Sequence, residues 1–140
     1  ESSVLFRCIS ESELDSILRM ILKKRKGHSN MKNYRAELTG VFGDPVDDNP
    51  TGVVEEAAFA AKNLNYRYLT IKVLPEDLGK AMDSVKIFGM KGINLTMPHK
   101  IKVLPYLDEL SPAAEIIGAV NTVIQKEGKL FGENTDGKGL

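Results

Sequence analysis

Short strand-like and helix-like segments alternate along the first two-thirds of this domain-sized chain, which limits it to few folds. Three strands are predicted at residues 38–43, 66–73 and 92–97, with helices between them at residues 53–64 and 74–86. Strands that alternate with helices in this way become parallel neighbours, because each helix carries the chain back across the sheet. The helices are then expected to cover both faces of that sheet.

The C-terminal part adds a different pattern. Residues 111–117 are predicted to form a helix that Gly118 ends, and residues 120–126 and 129–134 flank Glu127-Gly128, which is typical of a hairpin turn. A hairpin adds antiparallel pairing to the sheet. The predicted fold class is therefore α/β, a three-layer α/β/α sandwich with a mixed, mainly parallel sheet.

Composition excludes several function classes. The 140 residues include 19 acidic and 19 basic ones, so no net charge would attract the chain to nucleic acid or to an anionic membrane. Cys8 is the only cysteine, which excludes an intrachain disulfide and a cysteine-rich zinc site, and no metal is predicted. The sequence has no apolar run long enough to span a membrane and no secretory signal, so a cytoplasmic location is expected.

Residues 1–30 are predicted to be separate from the main domain, which would occupy residues 31–140. Residues 10–27 have an amphipathic helical pattern, and residues 28–30 resemble a linker. The four basic residues at 23–26 are interpreted as a solvated helix end, where the helix dipole favours cations, rather than as a nucleic-acid or membrane contact.

Polar side chains cluster where the predicted strands of the main domain begin or end. They are Asn94, Lys100, Asn121 and Asp136. Ligands of such sheets bind at the carboxyl ends of the strands, and amides, a carboxylate and an ammonium together suit a small polyhydroxylated ligand. Each residue also has an ordinary interpretation, as a backbone cap, a solvated lysine or a turn aspartate.

Three motifs contain these residues. Residues 94–100 read N-L-T-M-P-H-K, residues 118–122 read G-A-V-N-T, and residues 134–139 read N-T-D-G-K-G. In order and spacing they are similar to the N-[VL]-T-x-P-x-K, G-A-[VI]-N-T and N-T-D-G-x-G motifs of shikimate dehydrogenases. Over residues 38–140 the chain resembles the substrate-binding half of that family.

The resemblance implies an activity and a role for each matching residue. In that family the lysine and aspartate form a catalytic pair, which here are Lys100 and Asp136. The two asparagines hold substrate hydroxyls, here Asn94 and Asn121, and a threonine hydroxyl, here Thr96, helps to bind the substrate acid. The implied reaction is the NADP-dependent interconversion of shikimate and 3-dehydroshikimate.

One segment departs from the family pattern. Where the family has G-x-P-[IV]-x-H-S-x-S-P-x-x-H-N, residues 43–56 read G-D-P-V-D-D-N-P-T-G-V-V-E-E. Asn49 and Thr51 replace the two serines that bind the substrate carboxylate in the family, and both can still donate a hydrogen bond. Asp47 and Asp48 disfavour a carboxylate by like-charge repulsion. Quinate, an amino analogue or another altered analogue is therefore an alternative ligand.

No dinucleotide site is predicted in the chain. Such a site needs a G-x-G-x-x-G turn between a strand and a helix, and residues 137–139 supply only G-K-G. The chain is thus expected to be a fragment, one half of a split enzyme whose partner binds NADP, or a stand-alone non-catalytic module that binds shikimate, quinate or a related acid. A homo-oligomer is also compatible with the sequence.

Overall fold

The computed structural model describes residues 33–136, so the helix and linker predicted for residues 1–30 lie outside the described part. Besides two short 3-10 helices (Pro75–Asp77 and Leu104–Tyr106), this part contains six strands and four α-helices, in the order β1 (Glu37–Gly43), α1 (Thr51–Ala61), β2 (Tyr66–Lys72), α2 (Leu78–Ile87), β3 (Gly92–Leu95), α3 (His99–Lys102), β4 (Glu109–Leu110), α4 (Pro112–Ile117), β5 (Thr122–Lys126) and β6 (Lys129–Glu133). Within this part of the chain, none of the helices has the length and hydrophobicity of a membrane span.

All six strands form one sheet in the order β2-β1-β3-β5-β6-β4. The strands β2, β1 and β3 run parallel, β5 is antiparallel to both β3 and β6, and β4 is parallel to β6. The predicted α/β class with a mixed sheet is confirmed. The strand β4 was not predicted, because two residues are too few to show a periodicity.

Helices cover both faces of the parallel part of the sheet. Val41 packs with Phe59 of α1, whereas the next residue, Phe42, packs with Met82 of α2. Successive side chains of a strand point to opposite faces, so the two neighbours in β1 serve two separate apolar clusters. This arrangement gives the three predicted layers.

The third strand is shorter than predicted. It ends at Leu95, and Met97, expected on the same face as Ile93 and Leu95, is 72% exposed. The chain turns at Pro98 into α3, so Met97 has left the sheet before its side chain can be covered.

The predicted hairpin and helix end are confirmed. Glu127 and Gly128 both have positive φ angles, 52° and 77°, as a two-residue type I′ turn requires. At the start of α4 the Ser111 hydroxyl oxygen accepts a hydrogen bond from the backbone N–H of Ala114 at 3.1 Å, and Gly118, at φ 71°, ends the helix.

Candidate functional site

The topology brings the three motifs to one edge of the sheet. The strands β3 and β6 end at this edge, and β5 begins there because it is antiparallel to both. The end of β1 lies beside them, since the backbone N–H of Asp44 donates to the carbonyl of Met97 at 3.0 Å. Asn94 and Asp136, which are 42 positions apart in the sequence, therefore share one edge.

Lys100 and Asp136 form a direct ion pair at this edge. The ammonium Nζ of Lys100 donates to Oδ2 of Asp136 at 2.8 Å, and their side chains are 37% and 50% exposed. The hydrogen bond from Lys100 is the main cause that lowers the pKa of the Asp136 carboxyl below its ordinary value. Desolvation opposes this effect, while the charge of Lys100 and a hydrogen bond from Asn121 reinforce it. Asp136 is therefore a carboxylate at neutral pH.

The buried amide of Asn121 holds the other oxygen of that carboxylate. Its Nδ2 donates to Oδ1 of Asp136 at 2.9 Å and to Oγ1 of Thr135 at 2.9 Å. Its Oδ1 accepts from the backbone N–H of Thr135 at 3.1 Å. Because Asn121 is only 3% exposed and bonded on both sides, the orientation of its amide is determined and with it the position of Asp136.

A hydrogen-bonded chain continues from Asn121 into the interior. The hydroxyl of Thr122 donates to Oδ1 of Asn121 at 3.2 Å and accepts from Nδ2 of Asn94 at 3.2 Å. The Oδ1 of Asn94 in turn accepts from the Tyr68 hydroxyl at 2.8 Å. Side chains from β2, β3 and β5 thus connect the α1 face of the sheet to the Lys100–Asp136 pair.

The turn that carries Asp136 is held by Asn134. Its Oδ1 accepts from the backbone N–H of Asp136 at 3.0 Å, and its Nδ2 donates to the carbonyl of Ala119 at 2.9 Å. This side chain is 3% exposed. It ties the end of β6 to the segment before β5, which keeps Asp136 next to Asn121.

Lys100 is positioned by its own neighbours in the first turn of α3. The backbone N–H of His99 donates to the carbonyl of Thr96 at 2.9 Å. The imidazole of His99 is fully buried, and its Nε2 donates to the carbonyl of Val73 at 2.7 Å, since a carbonyl oxygen can only accept. These contacts anchor the turn and leave the Lys100 side chain directed at Asp136.

Asn49 and Thr51 lie just before and at the start of α1, the helix that follows β1. The Oδ1 of Asn49 accepts from the backbone N–H of Thr51 at 3.0 Å. No hydrogen bond recorded for residues 33–136 connects either side chain to Lys100, Asp136 or Asn121. Their role in ligand binding stays a prediction, and so do the ligand contacts of Asn94, Thr96 and Asn121.

Several members of the network were not predicted from the sequence. Asn134 and Thr135 stood inside the third motif and could have been selected there. Tyr68 could have been found from strand alternation, because it lies on the opposite face of β2 from Leu69 and Ile71. Nothing in the sequence pairs its hydroxyl with Asn94, which is 26 residues away.

Residues 33–136 do not form a site for a metal or a dinucleotide. This range contains no group of three or more His, Cys, Asp or Glu side chains that could hold a metal ion. A dinucleotide requires a glycine-rich turn between a strand and a helix, and none of the connections from β1, β2 or β3 has that sequence. The residues described here do not fit NADP, so the nucleotide would have to be held by other residues.

Fold and site together define an α/β domain that presents a lysine–aspartate pair and buried amides at the carboxyl edge of its sheet. Residues 41–123 match the family model of the shikimate dehydrogenase substrate binding domain. The chain belongs to this family.

A curated relative and two solved structures specify the similarity. The NADP(+)-dependent shikimate dehydrogenase of Desulforamulus reducens is 45% identical over 81% of this chain and 39% of its own length. The ligand-free 5-ketofructose reductase of a Gluconobacter strain superposes with a TM-score of 0.75 at 43% identity, over 76% of this chain and 39% of that one. The shikimate 5-dehydrogenase of Listeria monocytogenes, in complex with shikimate and NAD, has a TM-score of 0.74 at 36% identity, over 81% and 39%. The chain thus spans about two-fifths of the length of these proteins.

Proposed function

We propose that this chain is the substrate-binding part of an NADP-dependent oxidoreductase that interconverts a secondary alcohol and a ketone on a small polyhydroxylated ligand. The Lys100–Asp136 ion pair at 2.8 Å carries this proposal. Shikimate and 3-dehydroshikimate are the first candidate pair, because the curated relatives are named shikimate dehydrogenases. A non-catalytic binding module is the weaker reading, since it leaves the ion pair without a purpose.

In this proposal Lys100 exchanges the proton of the reacting oxygen. When the ketone is reduced, the ammonium donates a proton to the oxygen that becomes the hydroxyl, and in the reverse direction the neutral amine accepts it. Asp136 cannot be the donor at neutral pH, because the lowered pKa keeps its carboxyl ionised. It orients the ammonium and offsets its charge, and Asn121 holds the carboxylate in place.

The proposed substrate-binding residues are Asn49, Thr51, Asn94, Thr96 and Asn121. Thr96 is supported by its position between Lys100 and the end of β1, and no hydrogen bond to its hydroxyl is recorded within residues 33–136. Asn121 is adjacent to the ion pair and can meet a ligand hydroxyl there. The amide of Asn94 is 7% exposed and bonded to Tyr68 and Thr122, so its contribution is mainly to hold the network.

A ketose is the second candidate substrate, and one observation favours it. Residues 43–61 contain five acidic residues and no lysine, arginine or histidine, in the segment that would face the acid group of shikimate. The Gluconobacter relative, 43% identical, is named for its action on 5-ketofructose, which has no carboxylate. The same ion pair could serve either ketone.

A cytoplasmic location and a partner that supplies the nucleotide site, either a further domain or a second chain, are part of this proposal. The single cysteine, Cys8, is consistent with a reducing compartment.

The proposal is tested by joining the chain to the nucleotide-binding half of a relative and following NADPH formation with shikimate, or its consumption with a ketone. We expect turnover that Lys100→Ala lowers by about a hundred- to ten-thousand-fold. Turnover that is the same with and without Lys100 would contradict the proposal.

A further inference from the structure

Glu55 is a buried acid that the proposed mechanism does not use. Its side chain is 1% exposed, and neither carboxylate oxygen has a hydrogen-bond partner among residues 33–136. Buried charged or polar groups are almost always paired in proteins, since an unpaired one costs the free energy of its lost hydration. Burial accordingly raises the pKa of this carboxyl from 4.5 to about 7.

The position of Glu55 connects it to the candidate site. It lies one helical turn after Thr51 in α1, so both side chains are on the same face of the helix. That face packs on β2, where a Cβ at Gly52 would touch the Tyr68 ring at 3.4 Å. Burial, and then the charge of Glu55, raise the pKa of the Tyr68 hydroxyl.

The described part of the chain supplies no hydrogen-bond donor to the Glu55 carboxylate. The Tyr68 hydroxyl, the nearby polar hydrogen, already donates to Asn94 at 2.8 Å. The backbone N–H of Tyr68 donates to the neighbouring acid, Glu56. A ligand hydroxyl that enters between α1 and the network would supply the missing donor.

The charges around Glu55 indicate which class of ligand can supply the missing hydrogen-bond donor. Among residues 33–136, Asp44 is the only acid of the segment 43–61 that forms an ion pair, with Lys72 at 3.5 Å. The N-terminus of α1 would by itself favour an anion, but the exposed Asp47 and Asp48 precede it and offset its dipole. A ligand carboxylate beside Glu55 would meet like charges without a recorded cation.

We propose that Glu55 is a specificity residue of the same candidate site, which accepts a hydrogen bond from a hydroxyl of an uncharged polyhydroxylated ligand and disfavours carboxylates. This inference rests on the proposed function and selects the uncharged class among its candidate substrates. It assigns the ligand's reacting oxygen to Lys100 and a distal hydroxyl to Glu55.

The test uses two probes with the same ring, shikimate and its methyl ester, which differ in the negative charge and in one methyl group, with fructose as an uncharged ketose probe. Dissociation constants are measured by calorimetry at pH 8 for the chain and for Glu55→Gln, which keeps the shape but removes the charge. We expect the unmodified chain to bind the ester at least tenfold more tightly than the acid, and Glu55→Gln to reduce that ratio to about threefold or less. The double variant Asp47→Asn, Asp48→Asn changes only exposed residues. Like Glu55→Gln, it should raise the affinity for shikimate relative to the ester.

The inference is overturned if the unmodified chain binds shikimate as tightly as its ester, if the ratio is unchanged in Glu55→Gln, or if neither cyclic probe nor fructose binds. An Asp83→Asn variant, on the far side of the sheet in α2, controls for the loss of one negative charge. A failure of the proposed function would give a different result: every probe would bind, and neither Lys100→Ala nor Asp136→Asn would change its dissociation constant. A preference for shikimate that depends on Lys100 would refute only the role of Glu55.

Discussion

The buried carboxyl of Glu55 should make the stability of the fold depend on pH in a predictable direction. Its pKa is raised from 4.5 to about 7, so between these values the folded state binds more protons than the unfolded state. The free energy of unfolding must then decrease as the pH rises through this window. Each tenfold change in proton affinity is worth about 1.4 kcal/mol, so the loss between pH 4.5 and pH 8 is about 3 kcal/mol.

Glu55→Gln tests this reasoning, because glutamine has nearly the same shape and does not ionise. We expect urea denaturation to give a free energy of unfolding that falls by about 2.5 kcal/mol between pH 5 and pH 8 in the unmodified chain, and by under 1 kcal/mol in Glu55→Gln. Asp108 and Asp136 do not interfere, because their pKa values are lowered from 3.8 and their stabilisation is lost only at more acidic pH.

The exposed Glu76→Gln is the matched control for the loss of one carboxylate. The slopes with pH are compared rather than the absolute values, since a buried amide without partners has a cost of its own. Equal slopes in Glu55→Gln and in the unmodified chain would refute the assignment of this pH dependence to Glu55.

Three further predictions concern the network and the catalytic pair. In the chain joined to a nucleotide-binding half, Lys100→Ala should lower kcat by about a hundred- to ten-thousand-fold with a smaller change in KM, because proton transfer acts in the transition state. Steady-state kinetics measure both constants, and an unchanged kcat would contradict the prediction. Tyr68→Phe should lower the free energy of unfolding by about 1–2 kcal/mol, because the buried Oδ1 of Asn94 loses its hydrogen-bond donor. Tyr66→Phe on the same strand is the control, and equal effects of the two substitutions would argue against a contribution of this hydrogen bond. Gly43→Ala should destabilise the fold by about 1–3 kcal/mol, because the added Cβ would overlap the Thr96 methyl group. Thermal unfolding measures the change in stability, and a neutral result would show that β1 and β3 can separate at this edge.

Local patterns in the sequence were sufficient to predict most elements of the fold. The alternation in β2, the helical spacing in α1 and the Glu127-Gly128 turn each reflect interactions within a few residues, and these are the interactions that periodicity reports. The three motifs likewise contain Lys100, Asn121 and Asp136, and the edge they share follows from strand direction alone. What the sequence determined is therefore the fold class, together with the residues proposed for the candidate site.

The tertiary structure alone decided which of these groups touch and which are left without partners. The two-residue strand β4 exists because β6 offers it a pairing edge, and no local periodicity could reveal it. Tyr68 lies in β2 and Asn94 in β3, and their hydrogen bond depends on the sheet order, in which β1 lies between these two strands. Glu55 has the sequence context of an ordinary solvated helix acid, and it is buried because the packing of α1 on β2 brings its face onto the sheet. Burial and pairing depend on contacts between distant segments, whereas sequence patterns record only the preferences of neighbours.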